Sequence, residues 1–187
     1  IITAALPIGA AFGSVFGGNL SDRYGRRRML LWLAVIFFVG AVGAALSPTV
    51  HFLAFFRVVL GLAVGGASTT VPVYLAEVSP AERRGSIVAV DQVMIVTGQL
   101  LAYTNNALIA HLYGESSSWR WMLLLASIPA IGLWVGMRLM PESPRWYVAQ
   151  NREADARRSL ERVAAEHVDA QIDEIRSTID KSDSQES

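Results

Sequence analysis

Cysteine is absent from the 187 residues, which excludes disulfides and thiolate metal sites. Charge is scarce: Asp, Glu, Lys and Arg make up 17% of the chain, against about a quarter in an average soluble domain. The three histidines, His51, His111 and His167, have no ligand spacing, and the first two fall in short links between apolar runs, where a solvated imidazole is the simpler explanation. No hydrolytic triad, phosphate-cradling glycine loop or metal cluster can be read from the chain. An enzyme is therefore not expected, no cofactor or metal is implied, and nucleic acid is not an expected partner. The chain opens Ile-Ile-Thr, without an initiator Met or a basic n-region, so it reads as a piece of a longer protein with no signal peptide.

What is present is apolar length. A membrane-spanning helix needs about 20 mostly apolar residues, and five stretches qualify: roughly 1–20, 29–46, 52–75, 87–110 and 121–140. Gly9, Gly13 and Gly17 fall four apart in the first, and Gly61 and Gly65 repeat that spacing in the third. Small residues at such a spacing let two helices approach closely, and packing is the simplest role for them.

The zero net charge hides an asymmetry. Residues up to Ala149 hold ten Arg and six acids, whereas Gln150 onward holds six basic residues and ten acids. The stretch Asp22–Arg28 carries four Arg and Glu82–Gly85 carries two more, while the alternate links 47–51 and 111–118 carry none. The positive-inside rule places the basic links in the cytoplasm. After Pro141 the chain leaves the bilayer. Arg152–Glu166 reads as a polar helix with Ala156, Leu160 and Val163 on one face, and Val168, Ile172, Ile175 and Ile179 form a narrow stripe on a second. Residues 1–146 thus form a membrane part and 147–181 a cytoplasmic helical part, with 182–187 expected to be disordered.

Polar residues inside apolar spans are expensive and normally partnered. Arg57 lies early in the third span, where it either snorkels to the outer surface or meets an anion that its own span does not provide. Asp91 and Gln92 lie on the cytoplasmic side of the fourth span. Gln99 follows Gln92 by seven residues, on the same helix face. An amide both donates and accepts, which suits sugar hydroxyls, although interhelical bonding explains either glutamine equally well.

Three charged stretches mark the cytoplasmic side. They are Gly18-Asn-Leu-Ser-Asp22-Arg-Tyr-Gly25-Arg-Arg-Arg28, Pro72-Val-Tyr-Leu-Ala-Glu77-Val-Ser-Pro-Ala-Glu-Arg-Arg84-Gly85, and Pro141-Glu-Ser-Pro-Arg-Trp146. The first resembles the loop between helices two and three of the major facilitator superfamily. All three, in this order and spacing, resemble its sugar porter family. The resemblance covers nearly the whole chain and implies an all-α membrane protein. The fold it implies is a partial six-helix half-bundle holding helices two to six of twelve, followed by short amphipathic cytoplasmic helices.

By that resemblance, Gln92 matches a glutamine that hydrogen-bonds the sugar, and Gln99 a neighbouring cavity position. Arg57 matches an arginine that pairs with a helix-one aspartate in proton-coupled members. Asp22, Arg26, Glu77, Arg84, Glu142 and Arg145 match the cytoplasmic salt-bridge network that closes the inside. Asp91 departs from the pattern, where an uncharged polar residue is usual; it is a candidate second protonation site or ion-pair partner. The implied function is monosaccharide uptake by alternating access, by proton symport or facilitated diffusion, in the cytoplasmic membrane. The implied partners are the sugar, protons, the lipid bilayer, and helix one and the C-terminal half of the same protein. An exporter of drugs or organic acids would share the Asp22 loop but should lack the Pro-Glu-Ser-Pro-Arg stretch. A non-transporting sugar sensor or scaffold would keep every motif.

Overall fold

A computed structural model describes residues 2–79, 83–113, 115–163, 168–169, 172–173 and 175–177. The described residues form eight helices: α1 (Ile2–Tyr24), α2 (Arg26–Ala45), α3 (Val50–Val78), α4 (Arg84–Tyr113), α5 (Glu115–Leu125), α6 (Ser127–Leu139), α7 (Pro144–Ala149) and α8 (Glu153–Val163). Five stretches are long and apolar enough to cross a membrane: α1, α2, α3, the Gly85–Leu112 part of α4, and Ser118–Leu139, which joins α5 to α6. The break at Ala126 precedes Pro129 by three residues. A proline ring clashes with the carbonyl four residues back, here that of Leu125, and removes one helical hydrogen bond. One apolar run therefore becomes two helical segments.

The tightest packing joins α1 to α3, and glycine is its cause. A Cβ on Gly9 or Gly13 would lie 2.2 or 2.3 Å from the carbonyl oxygens of Val58 and Leu62. One on Gly61 or Gly65 would lie 2.2 or 2.0 Å from those of Leu6 and Ala10. The two backbones are in direct contact along several turns. In lipid the solvent is as apolar as the side chains, so such close dispersion contact, rather than water exclusion, holds helices together.

Helix α2 lies between α3 and α6. At its basic end Leu30, Leu33, Tyr74 and Met137 form a buried cluster; further along, Ala41, Ala44 and Leu60 form another, with Phe56 packed beside it. Gly43 leaves room for the Phe56 ring, 2.3 Å from where a Cβ would stand.

Helix α4 differs from the rest. None of its described residues is buried, and Val93, Met94, Val96, Leu100, Leu101 and Tyr103 are exposed along its length. Beyond the membrane part, α7 and α8 pack on each other. Ala156 and Leu160 are buried, as their spacing indicates, while the side chain of Val163 lies outside the described residues. Ile172 of the second stripe is buried as well. Ile179 and the tail 182–187 fall outside the described residues.

Candidate functional site

The basic end of the bundle is built from helix termini. Helix α2 begins Arg26-Arg27-Arg28 with no acid in its first turn, so three cations face the positive end of its dipole. Gly25 precedes them at φ 97°, ψ 146°, and has no side chain to cap the helix. The cap comes from 115 residues away. The Glu142 carboxylate accepts the N–H of Arg27 at 2.7 Å on Oε1 and that of Arg28 at 3.4 Å on Oε2; Oε1 also accepts the Ser143 N–H at 3.1 Å. Glu142 is 5% exposed. A Cβ at Gly25 would lie 2.6 Å from Glu142 Oε2, so glycine serves both the backbone angle and the approach of this carboxylate.

Neighbouring side chains close other helix ends. Arg27 donates from Nε to the carbonyl of Met137 at 2.8 Å and from Nη2 to that of Arg138 at 2.9 Å, capping α6. The Trp146 indole donates to the carbonyl of Asp22 at 2.8 Å, near the end of α1. Tyr74 Oη donates to the carbonyl of Pro141 at 2.7 Å. Ser143 caps α7, accepting the Trp146 N–H at 3.2 Å, with Pro144 in the first turn, where proline costs no hydrogen bond. The Ser159 hydroxyl donates to the carbonyl of Glu142 at 2.5 Å and so ties α8 to the same junction.

An ion-pair node crosses this junction. Arg26 Nη2 stands 2.6 Å from Asp22 Oδ1, one turn earlier on α1, and donates to Glu77 Oε1 of α3 at 3.1 Å. Its Nε is 2.9 Å from Glu77 Oε2 but off the line of its N–H, so that contact is electrostatic. Glu77 Oε2 also accepts the Ser143 hydroxyl at 2.5 Å. The two acids differ in setting: the Glu77 side chain is 8% exposed and the Asp22 side chain 68%. The inner pair is shielded from solvent, where breaking it is costly; the outer carboxylate is open.

Of the six residues expected in a salt-bridge network, the structure joins Asp22, Arg26 and Glu77. Glu142 is placed differently: its buried carboxylate accepts N–H groups at the positive end of α2, and it is in no ion pair with an arginine side chain among the described residues. Arg145 is exposed and in no ion pair among the described residues. Arg84 opens α4, with its side chain outside the described residues. Arg27, Tyr74, Ser143, Trp146 and Ser159 lack an assigned role in the sequence reading, yet they bind here. Only Ser143 carries a local signal, a cap residue directly before proline.

The membrane-depth residues are spread apart. Gln92 and Gln99 are exposed on α4, and Asp91 is half-buried beside them. Arg57 is half-buried on α3, and its Nε is shielded with no hydrogen-bond partner among the described residues.

Five spans of this arrangement, with the short helices α7 and α8 joined to their basic end, define a partial major facilitator half-bundle. The family model for "Sugar (and other) transporter" matches residues 1–187, and the chain belongs to that family, the sugar porters. It is 50% identical over 182 residues to the putative metabolite transport protein YfiG of Bacillus subtilis, covering 96% of this chain and 38% of the relative. The major myo-inositol transporter IolT of the same bacterium is 49% identical over 185 residues, 98% of this chain and 39% of the relative. Among solved structures, the proton:xylose symporter XylE of E. coli, bound to 6-bromo-6-deoxy-D-glucose, superposes with a TM-score of 0.89 at 32% identity. That match covers 96% of this chain and 43% of XylE. The chain thus spans about two fifths of the length of the relatives it matches. It is part of a multi-pass membrane protein.

Proposed function

We propose that this chain is the larger part of the N-terminal half of a sugar transporter of the cytoplasmic membrane, working by alternating access and proton symport. The observation that carries this reading is the junction of α1, α2, α3 and the 141–146 segment. A shielded Arg26–Glu77 pair lies behind an open Asp22, at the end of the bundle where a facing half would close. Ion pairs of this kind bias a conformational equilibrium, and a few kcal/mol suffices to repopulate its states. The names of IolT and XylE supply the substrate class, a hydroxylated ring of monosaccharide size, and XylE's supplies the proton.

In this reading Gln92 and Gln99 line the sugar cavity from α4. Their exposure on an otherwise uncovered helix fits a cavity wall completed by other parts of the protein. Arg57, whose Nε has no hydrogen-bond partner among the described residues, awaits the carboxylate of proton coupling, and Asp91 is a second proton-accepting candidate. Asp22, Arg26 and Glu77 form the cytoplasmic latch, with Glu142 holding its geometry; Arg84 and Arg145 join it when the facing half is docked. Reconstitution of the full-length protein into proteoliposomes tests this. Labelled xylose, glucose or myo-inositol should enter saturably and be driven by a proton gradient, and Gln92→Ala should abolish sugar binding without loss of folding. Absence of uptake for all three, or unchanged sugar affinity in the variant, overturns the reading.

A further inference from the structure

The outer surface between α2 and α6 holds a groove of about 250 Å³ that no assigned role uses. Ala34, Val35 and Phe38 line it from α2; Ala130, Ile131 and Trp134 line it from α6. Every one of these is apolar, yet the groove ends in charge. Arg28 stands seven residues before Val35, two turns along the same face of α2. Arg138 stands seven residues after Ile131 and four after Trp134, and its guanidinium lies 4.2 Å from the Trp134 ring centroid. The two ends are neighbours, because Arg27 binds the carbonyls of Met137 and Arg138. Both arginines are exposed, and neither side chain is in an ion pair among the described residues. Glu142, which accepts the backbone N–H of Arg28, has a carboxylate that is buried and occupied by backbone N–H groups.

We propose that this groove holds an acyl chain of an anionic phospholipid whose headgroup phosphate is bound by Arg28 and Arg138. Charge complementarity selects the occupant: an apolar channel with two free cations at one end matches a molecule with an apolar tail and one anionic end. The dimensions agree. Phe38 lies ten residues beyond Arg28, about 15 Å along the helix, which is half of the roughly 30 Å hydrocarbon core. The groove itself is lined over residues 34–38 and 130–134, and only together with the stretch back to Arg28 does it span about the depth of one leaflet. By the positive-inside rule it is the cytoplasmic leaflet, whose surface is the anionic one and where basic pockets between helices bind headgroups.

The test is native mass spectrometry of the delipidated full-length protein, mixed with equal amounts of phosphatidylglycerol and phosphatidylcholine. Wild type should retain one phosphatidylglycerol in preference. The double variant Arg28→Gln/Arg138→Gln should weaken that retention about thirtyfold, from the usual contribution of two basic residues to anionic-lipid binding. Val35→Trp, which fills the groove and leaves both arginines, should weaken it comparably. Both variants alter exposed positions, and an unchanged melting temperature in detergent shows that they fold; should Val35→Trp not fold, Ile131→Trp replaces it. Equal retention of the two lipids by wild type, or no lipid at all because another part of the protein covers the groove, overturns the proposal. So does a double variant that binds phosphatidylglycerol like wild type, or a filled groove that changes nothing. None of these outcomes depends on transport.

Discussion

Replacing Gly25 by alanine tests whether the Glu142 cap organises the basic junction. Two costs combine. At φ 97° and ψ 146° the backbone sits in a region that only glycine enters readily, and an L residue there costs about 1–3 kcal/mol. The new Cβ would also stand 2.6 Å from Glu142 Oε2 and 3.0 Å from its carboxyl carbon, so the carboxylate must withdraw. Withdrawal uncaps α2 and leaves two N–H groups beside three arginines, which costs about 1–2 kcal/mol more. The sum is about 2–5 kcal/mol. Gly132→Ala in α6 is the control, since a Cβ there meets nothing within 4 Å; it should be neutral or slightly stabilising, as expected for Gly→Ala within a helix. The assay is thermal unfolding of the full-length protein in detergent, run as a double-mutant cycle with Glu142→Ala. Once the carboxylate is gone the clash term vanishes, so the two substitutions should be non-additive by about 1 kcal/mol or more. A Gly25→Ala protein as stable as the Gly132→Ala control would refute the argument. Strict additivity would refute the part that runs through Glu142.

Other perturbations follow from the same geometry. Gly65→Leu cannot be accommodated by a side-chain shift, because the atom it meets is the Ala10 carbonyl oxygen; α1 and α3 should separate, and the yield of folded protein in detergent should collapse. Glu77→Gln leaves Arg26 shielded with half its partner charge; we expect about 3 kcal/mol of lost stability and, if the proposed latch role holds, a population shifted toward a state open at this end of the bundle, read by spin labels placed around it in the full-length protein. Arg145→Ala removes an exposed side chain with no ion pair and should change stability by under about 0.5 kcal/mol. Arg57→Leu should permit sugar exchange but stop accumulation against a gradient in proteoliposomes; continued accumulation would remove Arg57 from proton coupling.

Much of this was legible in the residues. Spans of about 20 apolar residues can satisfy their backbone in lipid only as helices, so all-α character and five spans follow from length and composition alone. The four-residue glycine spacing announced a close helix contact, because small residues on one face have few other uses in a membrane. The three charged motifs carried the family.

What the sequence could not state was partnership across distance. It marked Glu142 as a charge near arginines. Only the fold shows that its carboxylate meets N–H groups 115 residues away, because helix ends, unlike side chains, are not labelled by residue type. The roles of Arg27 and Trp146 as caps for other helices' carbonyls were invisible for the same reason. Gly9 and Gly61 could be listed as small residues, but that each sits against the other helix's backbone is a property of two helices together. Local patterning determined which segments cross the membrane and which end is basic. Tertiary structure decided which buried groups satisfy one another, since a hydrogen bond between distant residues exists only once the chain has brought them within 3 Å.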